Sequence, residues 1–211
     1  SNTRGIFQNG GDPSSNIINY ITISTTGNAQ DFGDATVSAG YRASFNNQVR
    51  SVTGGGNGGL NTVDYITIAQ TGNAIDFGDL VATGEVGDCS FSSTTRGIIA
   101  GGRNTNHIEK FTIMTEGNST DFGDLSINTV VPFGCSNAIR GLMKLRTGSY
   151  VNTVEFITIA TSGNSIDFGD TSNGMKSGGG AGMASATRAL FAGGYGGTGG
   201  FQDGIESFEI A

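Results

Sequence analysis

An all-β fold, built from a four-stranded antiparallel sheet repeated about five times, is what this sequence predicts. Three observations predict it. The tetrapeptide Asp-Phe-Gly-Asp recurs at Asp31–Asp34, Asp76–Asp79, Asp121–Asp124 and Asp167–Asp170, at spacings of 45, 45 and 46 residues. Glycine supplies 37 of 211 residues, more than twice the usual ~7 % share, with no collagen-like triplet period. No segment holds a 3.6-residue apolar period between caps, so almost no helix is expected.

The elements follow in order within each unit. A first strand carries an apolar residue five positions before an arginine: Phe45, Phe91, Cys135 and Met183. The arginines, Arg4, Arg50, Arg96, Arg140 and Arg188, open a second strand. That strand ends in paired glycines at Gly10-Gly11, Gly54-Gly55, Gly101-Gly102 and Gly193-Gly194, whereas the fourth unit reads Leu142-Met-Lys-Leu. The third strand alternates with period two: Val63 and Tyr65 point one way, Ile66 and Ile68 the other. Both of its faces are apolar, which suits a strand covered on two sides. A Gly-Asn pair (Gly27-Asn28, Gly72-Asn73, Gly117-Asn118, Gly163-Asn164) makes the next tight turn. The fourth strand contains Ile75–Phe77 and its equivalents.

A period of about 45 residues with four strands per unit predicts a β-propeller of about five blades. One such sheet cannot bury both faces alone, and radial stacking buries both. The whole chain reads as a single domain, 1–211, with units at 1–37, 38–82, 83–127, 128–173 and 174–211. The terminal blades are incomplete. Arg4 lies too near the start for a preceding strand, and Ala211 follows a third strand. Either two thin blades stand side by side in a ring, or the chain is a piece of something longer.

The order of strand, glycine pair, Tyr-Ile-Thr-Ile strand and turn resembles Kelch-like (galactose-oxidase-like) propeller repeats. Thr-Arg-Gly-x-Phe-x-Gly-Gly followed by Gly-Asn-x-x-Asp-Phe-Gly-Asp resembles, in particular, repeats of tailed-bacteriophage virion proteins, notably those of marine cyanophages. Phe32, Phe77, Phe122 and Phe168 take the place of the tryptophan usual in such repeats. The resemblance implies a virion or extracellular location. It also implies a structural or adhesive role, such as a tail-fibre lectin in host recognition, binding a surface glycan or another virion protein. The alternative it carries is a glycan-active enzyme of galactose-oxidase type.

Charge and motif arguments narrow the chemistry. Eleven basic against eighteen acidic residues leave a net charge of −7, which argues against nucleic acid as a partner. No apolar stretch approaches the ~20 residues of a membrane-spanning helix, and no membrane insertion is expected. Asp-Phe-Gly occurs without the lysine or catalytic loop of a kinase. Asp31, Asp34, Asp76, Asp79, Asp121, Asp124, Asp167 and Asp170 are calcium candidates. Each copy, however, brings about three side-chain ligands with its asparagine, against the 6–8 oxygens calcium takes. Their expected state is wet, or paired with the repeated arginines through bidentate contacts. Gly54, Gly56 and Gly59 fit G-x-G-x-x-G, but no helix follows, so no dinucleotide site is expected. Cys89 and Cys135 occupy different repeat positions and are read as two buried thiols. His107 is the sole histidine, read as a surface residue, and no catalytic triad can be drawn. No cofactor and no catalysis are expected.

The repeats also permit an internal comparison. The strand one–two and three–four connections are nearly constant, while the two–three and four–one connections vary. In an antiparallel meander both variable sets leave from one face, the usual layout for loop-borne recognition. That face is expected to bind through Tyr41, Arg42, Arg103, Arg146, Tyr150, Tyr195 and Phe201, residue types enriched in binding hot spots. The sequence leaves the oligomeric state open.

Overall fold

In a computed structural model, residues 1–10, 13–82, 89–102, 104–130, 132–149, 151–196, 200–201 and 203–210 are described, the side chains of 173–179 and 196 excepted. Every regular element among them is a β-strand. Unit one comprises β1 (Arg4–Gly10), β2 (Ser15–Thr22) and β3 (Gln30–Ala39). Unit two comprises β4 (Ala43–Asn46), β5 (Arg50–Gly54), β6 (Thr62–Thr67) and β7 (Ile75–Asp79). Unit three holds β8 (Ser90–Ser92), β9 (Arg96–Gly102), β10 (Thr105–Thr112) and β11 (Thr120–Thr129). Unit four holds β12 (Phe133–Ser136), β13 (Arg140–Lys144), β14 (Val151–Thr158) and the start of β15 (Ile166–Ala184). The rest of β15 belongs to unit five, with β16 (Arg188–Gly196), β17 (Gly200–Phe201) and β18 (Ile205–Glu209).

Units one, two and three form separate antiparallel sheets of three, four and four strands. Units four and five differ from the expected separate blades. β15 runs unbroken from one to the other, pairing with β14 and then with β16, so the two share one seven-stranded sheet.

The end of the second strand adopts a left-handed backbone. Asn9, Gly55, Gly101 and Gly193 stand at the same offset from their arginines, with φ of 60°, 70°, 65° and 66°. Glycine and asparagine tolerate this region best.

Three repeated devices hold the sheets together. The first joins strand four to the next unit's Gly-Asn turn. Gly72 N–H donates to Phe32 O (2.8 Å), Ala74 N–H to Asp34 O (2.8 Å), and Asp34 N–H to Asn73 Oδ1 (3.0 Å). The same set links Gly117, Ser119 and Asn118 to Phe77 and Asp79 (2.7, 2.8 and 3.0 Å). It recurs from Gly163, Ser165 and Asn164 to Phe122 and Asp124 (2.7, 2.9 and 3.1 Å). The approach requires glycine: a Cβ on Gly78, whose φ is +141°, would lie 2.6 Å from Gly117 O, and Gly33 and Gly123 are equally crowded.

The second device is a third-strand acid facing backwards. Asp64 accepts from Thr36 N–H (3.1 Å) and its hydroxyl (2.7 Å), and Glu109 accepts from Ala82 N–H (2.7 Å). Glu155 accepts from Ser126 N–H (3.3 Å), and Glu206 from Ser172 N–H (2.9 Å).

The third device is size matching. Phe45 fills the space that a side chain at Gly97 would take, and Phe91 does the same at Gly141, 2.6 Å from its ideal Cβ. Where the first strand carries the smaller Cys135, the facing position is Ala189, and both lie in one buried cluster.

The expected pairing of the repeated arginines with Asp-Phe-Gly-Asp is overturned. Arg4, Arg50 and Arg96 instead donate to Ile68 O (2.8 Å), Ile113 O (3.4 Å) and Ile159 O (2.7 Å) of the following unit. The guanidinium groups of Arg4, Arg50 and Arg140 also use aromatic faces: Arg4 over Tyr20 at 4.6 Å, Arg50 over Tyr65 at 4.2 Å and Arg140 over Phe156 at 5.2 Å. The carbonyl at the end of each third strand lies within reach, whereas Asp31, Asp76, Asp121 and Asp167 point outward and are exposed. Arg50 does find a carboxylate, but it is Glu116 (3.0 Å).

Gly169 completes the comparison, because nothing lies within 4 Å of its ideal Cβ although its φ is +137°. Gly169→Ala therefore meets only backbone strain, costing about 1–3 kcal/mol. Gly123→Ala adds a collision with Gly163 and is expected to cost at least twice as much in urea unfolding.

Candidate binding face

The pairing registers settle which connections share an end. Gly10 stands opposite Ser15, and Ser15 opposite Ala39, so the two–three and four–one connections leave from the same edge of unit one. Hydrogen bonds tie these connections across units: Asn57 N–H donates to Gly40 O (2.9 Å), Gly40 N–H to Asn57 Oδ1 (2.9 Å), and Asn57 Nδ2 to Ser14 Oγ (3.2 Å).

At the opposite, constant end the strand one–two turns repeat a side-chain cap. Asn47 Oδ1 accepts from the N–H of Val49 and Arg50 (both 2.8 Å), and Asn137 Oδ1 does so from Ile139 and Arg140 (2.8 and 2.7 Å). Ser93 and Ser185 cap the equivalent turns through their hydroxyls. Turns from units two, three, four and five line one pocket of about 430 Å³, including Asn46, Ser92, Asn137 and Ser185. The capping oxygens in it are already engaged by backbone.

On the variable end, the sequence-derived candidates separate. Tyr41 is exposed (57 %) and held at φ 56°. Arg42 is a correction: it is not a surface loop residue. Its side chain is 2 % exposed and meets Asp64, itself 1 % exposed, at 3.0 Å. The remaining donors of Arg42 go to the carbonyls of Gly55, Thr53 and Thr62. Thus the four–one link is stapled to the sheet it enters, the Arg42 guanidinium pairing with the buried Asp64 carboxylate. Arg146 is half-buried, and burial pulls its guanidinium below the usual arginine range. Its carbonyl accepts from Val130 N–H (2.8 Å) and Thr129 Oγ1 (2.6 Å).

Tyr195 and Phe201 come together edge to face, with centroids 5.5 Å apart, and Phe201 is 90 % exposed. β17 causes this by folding Phe201 back opposite Tyr195. Arg103 and Tyr150 lie outside the described residues.

Among the described residues, no three His, Cys, Asp or Glu side chains converge to hold a metal ion. The Asp-Phe-Gly-Asp copies stay with their own junctions. Asp124 faces His107 Nδ1 at 3.3 Å, both well exposed. Cys89 and Cys135 are buried free thiols, and burial raises Cys135 to a pKa of about 11.

Sequence reasoning missed the backward-facing acids Asp64, Glu109, Glu155 and Glu206, although aligning the units shows an acid at that offset in four of five. It also missed Lys144, which stands where the other units place small residues or Gln8. Lys144 is fully buried and donates to Val151 O (2.6 Å). Burial lowers its pKa to about 8, against Glu206 and Asp170, which act to raise it.

No protein-family model matches the chain, and no curated protein matches it.

Two stability measurements check these assignments. Arg42→Ala leaves Asp64 buried without its cation and is expected to cost about 3–5 kcal/mol, read by chemical denaturation. Lys144 has a lowered folded pKa, so the unfolded chain binds more protons between pH 8 and 10.5. Stability relative to Lys144→Met therefore rises with pH across that window, by roughly 3 kcal/mol at most, and is flat below pH 8.

Proposed function

We propose that this protein is a non-enzymatic binding module, its sheets set radially as a propeller, in the manner of the Kelch-like virion repeats it resembles. Its variable face holds a host-surface glycan or another virion protein. The radial arrangement is supported by the strand one–two turns of four successive units lining one pocket, which a straight row of sheets does not bring together.

One observation carries the binding reading. The repeated polar and charged residues are used in joining sheets, whereas the variable end leaves large aromatics facing water. Tyr41 and the Tyr195–Phe201 pair are the anchors, with Arg42 withdrawn from the set. Aromatic faces stack on the apolar face of a sugar ring or fill a protein pocket.

The test pairs binding with folding. Phe201→Ala is expected to leave the melting temperature within about 1 °C, since the ring is almost wholly exposed. The same change is expected to weaken retention on a glycan array or on host cells by about fivefold or more. Unchanged retention, or binding lost only with folding, contradicts the reading. A rod-like profile in small-angle scattering contradicts the radial arrangement.

A further inference from the structure

The pocket between the strand one–two turns is lined by three repeat positions from each of units two to five. The middle position caps its own turn: Asn47, Ser93, Asn137 and Ser185 each accept a backbone N–H there. The two asparagines also donate Nδ2 to the neighbouring unit, to Thr94 O (3.1 Å) and Ala186 O (2.9 Å). These bonds fix the turns, and with them the walls of the pocket.

The positions on either side of the cap change in one direction around the pocket. Before the cap stand Asn46, Ser92, Ser136 and Ala184; after it stand Gln48, Thr94, Ala138 and Ala186. Both series run from an amide in unit two, through a hydroxyl in unit three, to a methyl in unit five. Asn46 Nδ2 donates to Asn47 O (3.2 Å) and Ser92 Oγ to Asn46 O (2.7 Å). The Gln48 amide and the hydroxyls of Thr94 and Ser136 have no hydrogen-bond partner among the described residues. None of the described residues that line the pocket is charged.

We propose that this pocket is a second binding site, at the end opposite the variable face, and that it takes an uncharged pyranose sugar. A pyranose carries C–H groups on its ring face and hydroxyls around its edge. The C–H face fits the methyl side formed by Ala138, Ala184 and Ala186. The hydroxyl edge meets Gln48, Thr94 and Ser136, whose side chains can each donate and accept. A concavity of about 430 Å³ is of the size that holds small molecules. An acidic or amino sugar is disfavoured, because its charge would lose water without meeting an opposite charge.

The experiment titrates the whole chain with the methyl glycosides of glucose, galactose and mannose, read by amide NMR shifts, with glucuronate and glucosamine as charged comparators. At least one glycoside is expected to shift the amides of Thr94, Ala138 and Ala186 saturably, with the charged sugars at least about fivefold weaker. Gln48→Ala is expected to weaken binding about fivefold by removing a hydrogen bond. Ala186→Trp is expected to weaken it at least about tenfold by filling the methyl side. Both residues are exposed, so the melting temperature is expected to stay within about 1 °C. No saturable shift with any glycoside, unaltered binding in both variants, or equal or tighter binding of a charged sugar overturns the proposal. Shifts confined to the variable end overturn the location. An immobilised glycan ending in the bound sugar separates the sources: its retention assigns a glycan end, its passage a free sugar, and either supports the site. Phe201→Ala is expected to leave this titration unchanged, so failure here leaves the variable-face reading standing.

Discussion

A fourth-strand glycine set directly against the next unit's Gly-Asn turn is the contact on which the other packing depends. Each repeat sheet is apolar on both faces, so it is stable only when both are covered. Burying a phenylalanine, valine or isoleucine side chain contributes about 1.5–3 kcal/mol, and each junction buries several. The gain requires the sheets to approach closely along their whole height. Without a side chain, Gly33, Gly78 and Gly123 let backbone meet backbone, and three hydrogen bonds per junction then hold the register. Such bonds add modestly in net free energy, but they place every other contact.

Close approach brings polar groups inside with the apolar ones. Asp64, Glu109 and Glu155 are buried, which costs free energy unless each finds donors. The preceding fourth strand, or at Ala82 the link just after it, supplies them as backbone N–H groups and hydroxyls. In unit two the solution goes further, with Arg42 drawn from the link to neutralise Asp64. A residue type that reads as a binding candidate in a loop is thereby taken into the scaffold. Lys144 shows the opposite case, a cation at a position that elsewhere needs no charge, with its amine satisfied by Val151 O.

These demands divide the molecule by role. The constant end carries side-chain caps and junction turns, in which Asn47, Asn137, Asn73, Asn118 and Asn164 are already bonded to backbone. The variable end is constrained at a few points, such as Asn57 with Gly40 and Ser14, and is otherwise free to present different side chains. Tyr41 and the Tyr195–Phe201 pair occupy that freedom.

By itself, the sequence determined the all-β class, the order of strands within a unit and the Gly-Asn turns. These follow from local chemistry repeated at a fixed period: alternation, arginine offsets and the paired glycines that end the second strand. It also picked out the core phenylalanines and the variable end. The tertiary structure alone decided who meets whom. The acceptors of Arg4, Arg50 and Arg96 are carbonyls more than sixty residues away in the chain, on the next unit, and no spacing within one unit reveals them. Likewise, Arg42 is inward because the acid it meets lies on a different strand, and Phe201 becomes half of an aromatic pair because β17 folds back on β16. The physical reason is common to all of these: periodicity reports which face a residue occupies, whereas partner identity depends on distances between faces that exist only once the sheets have stacked.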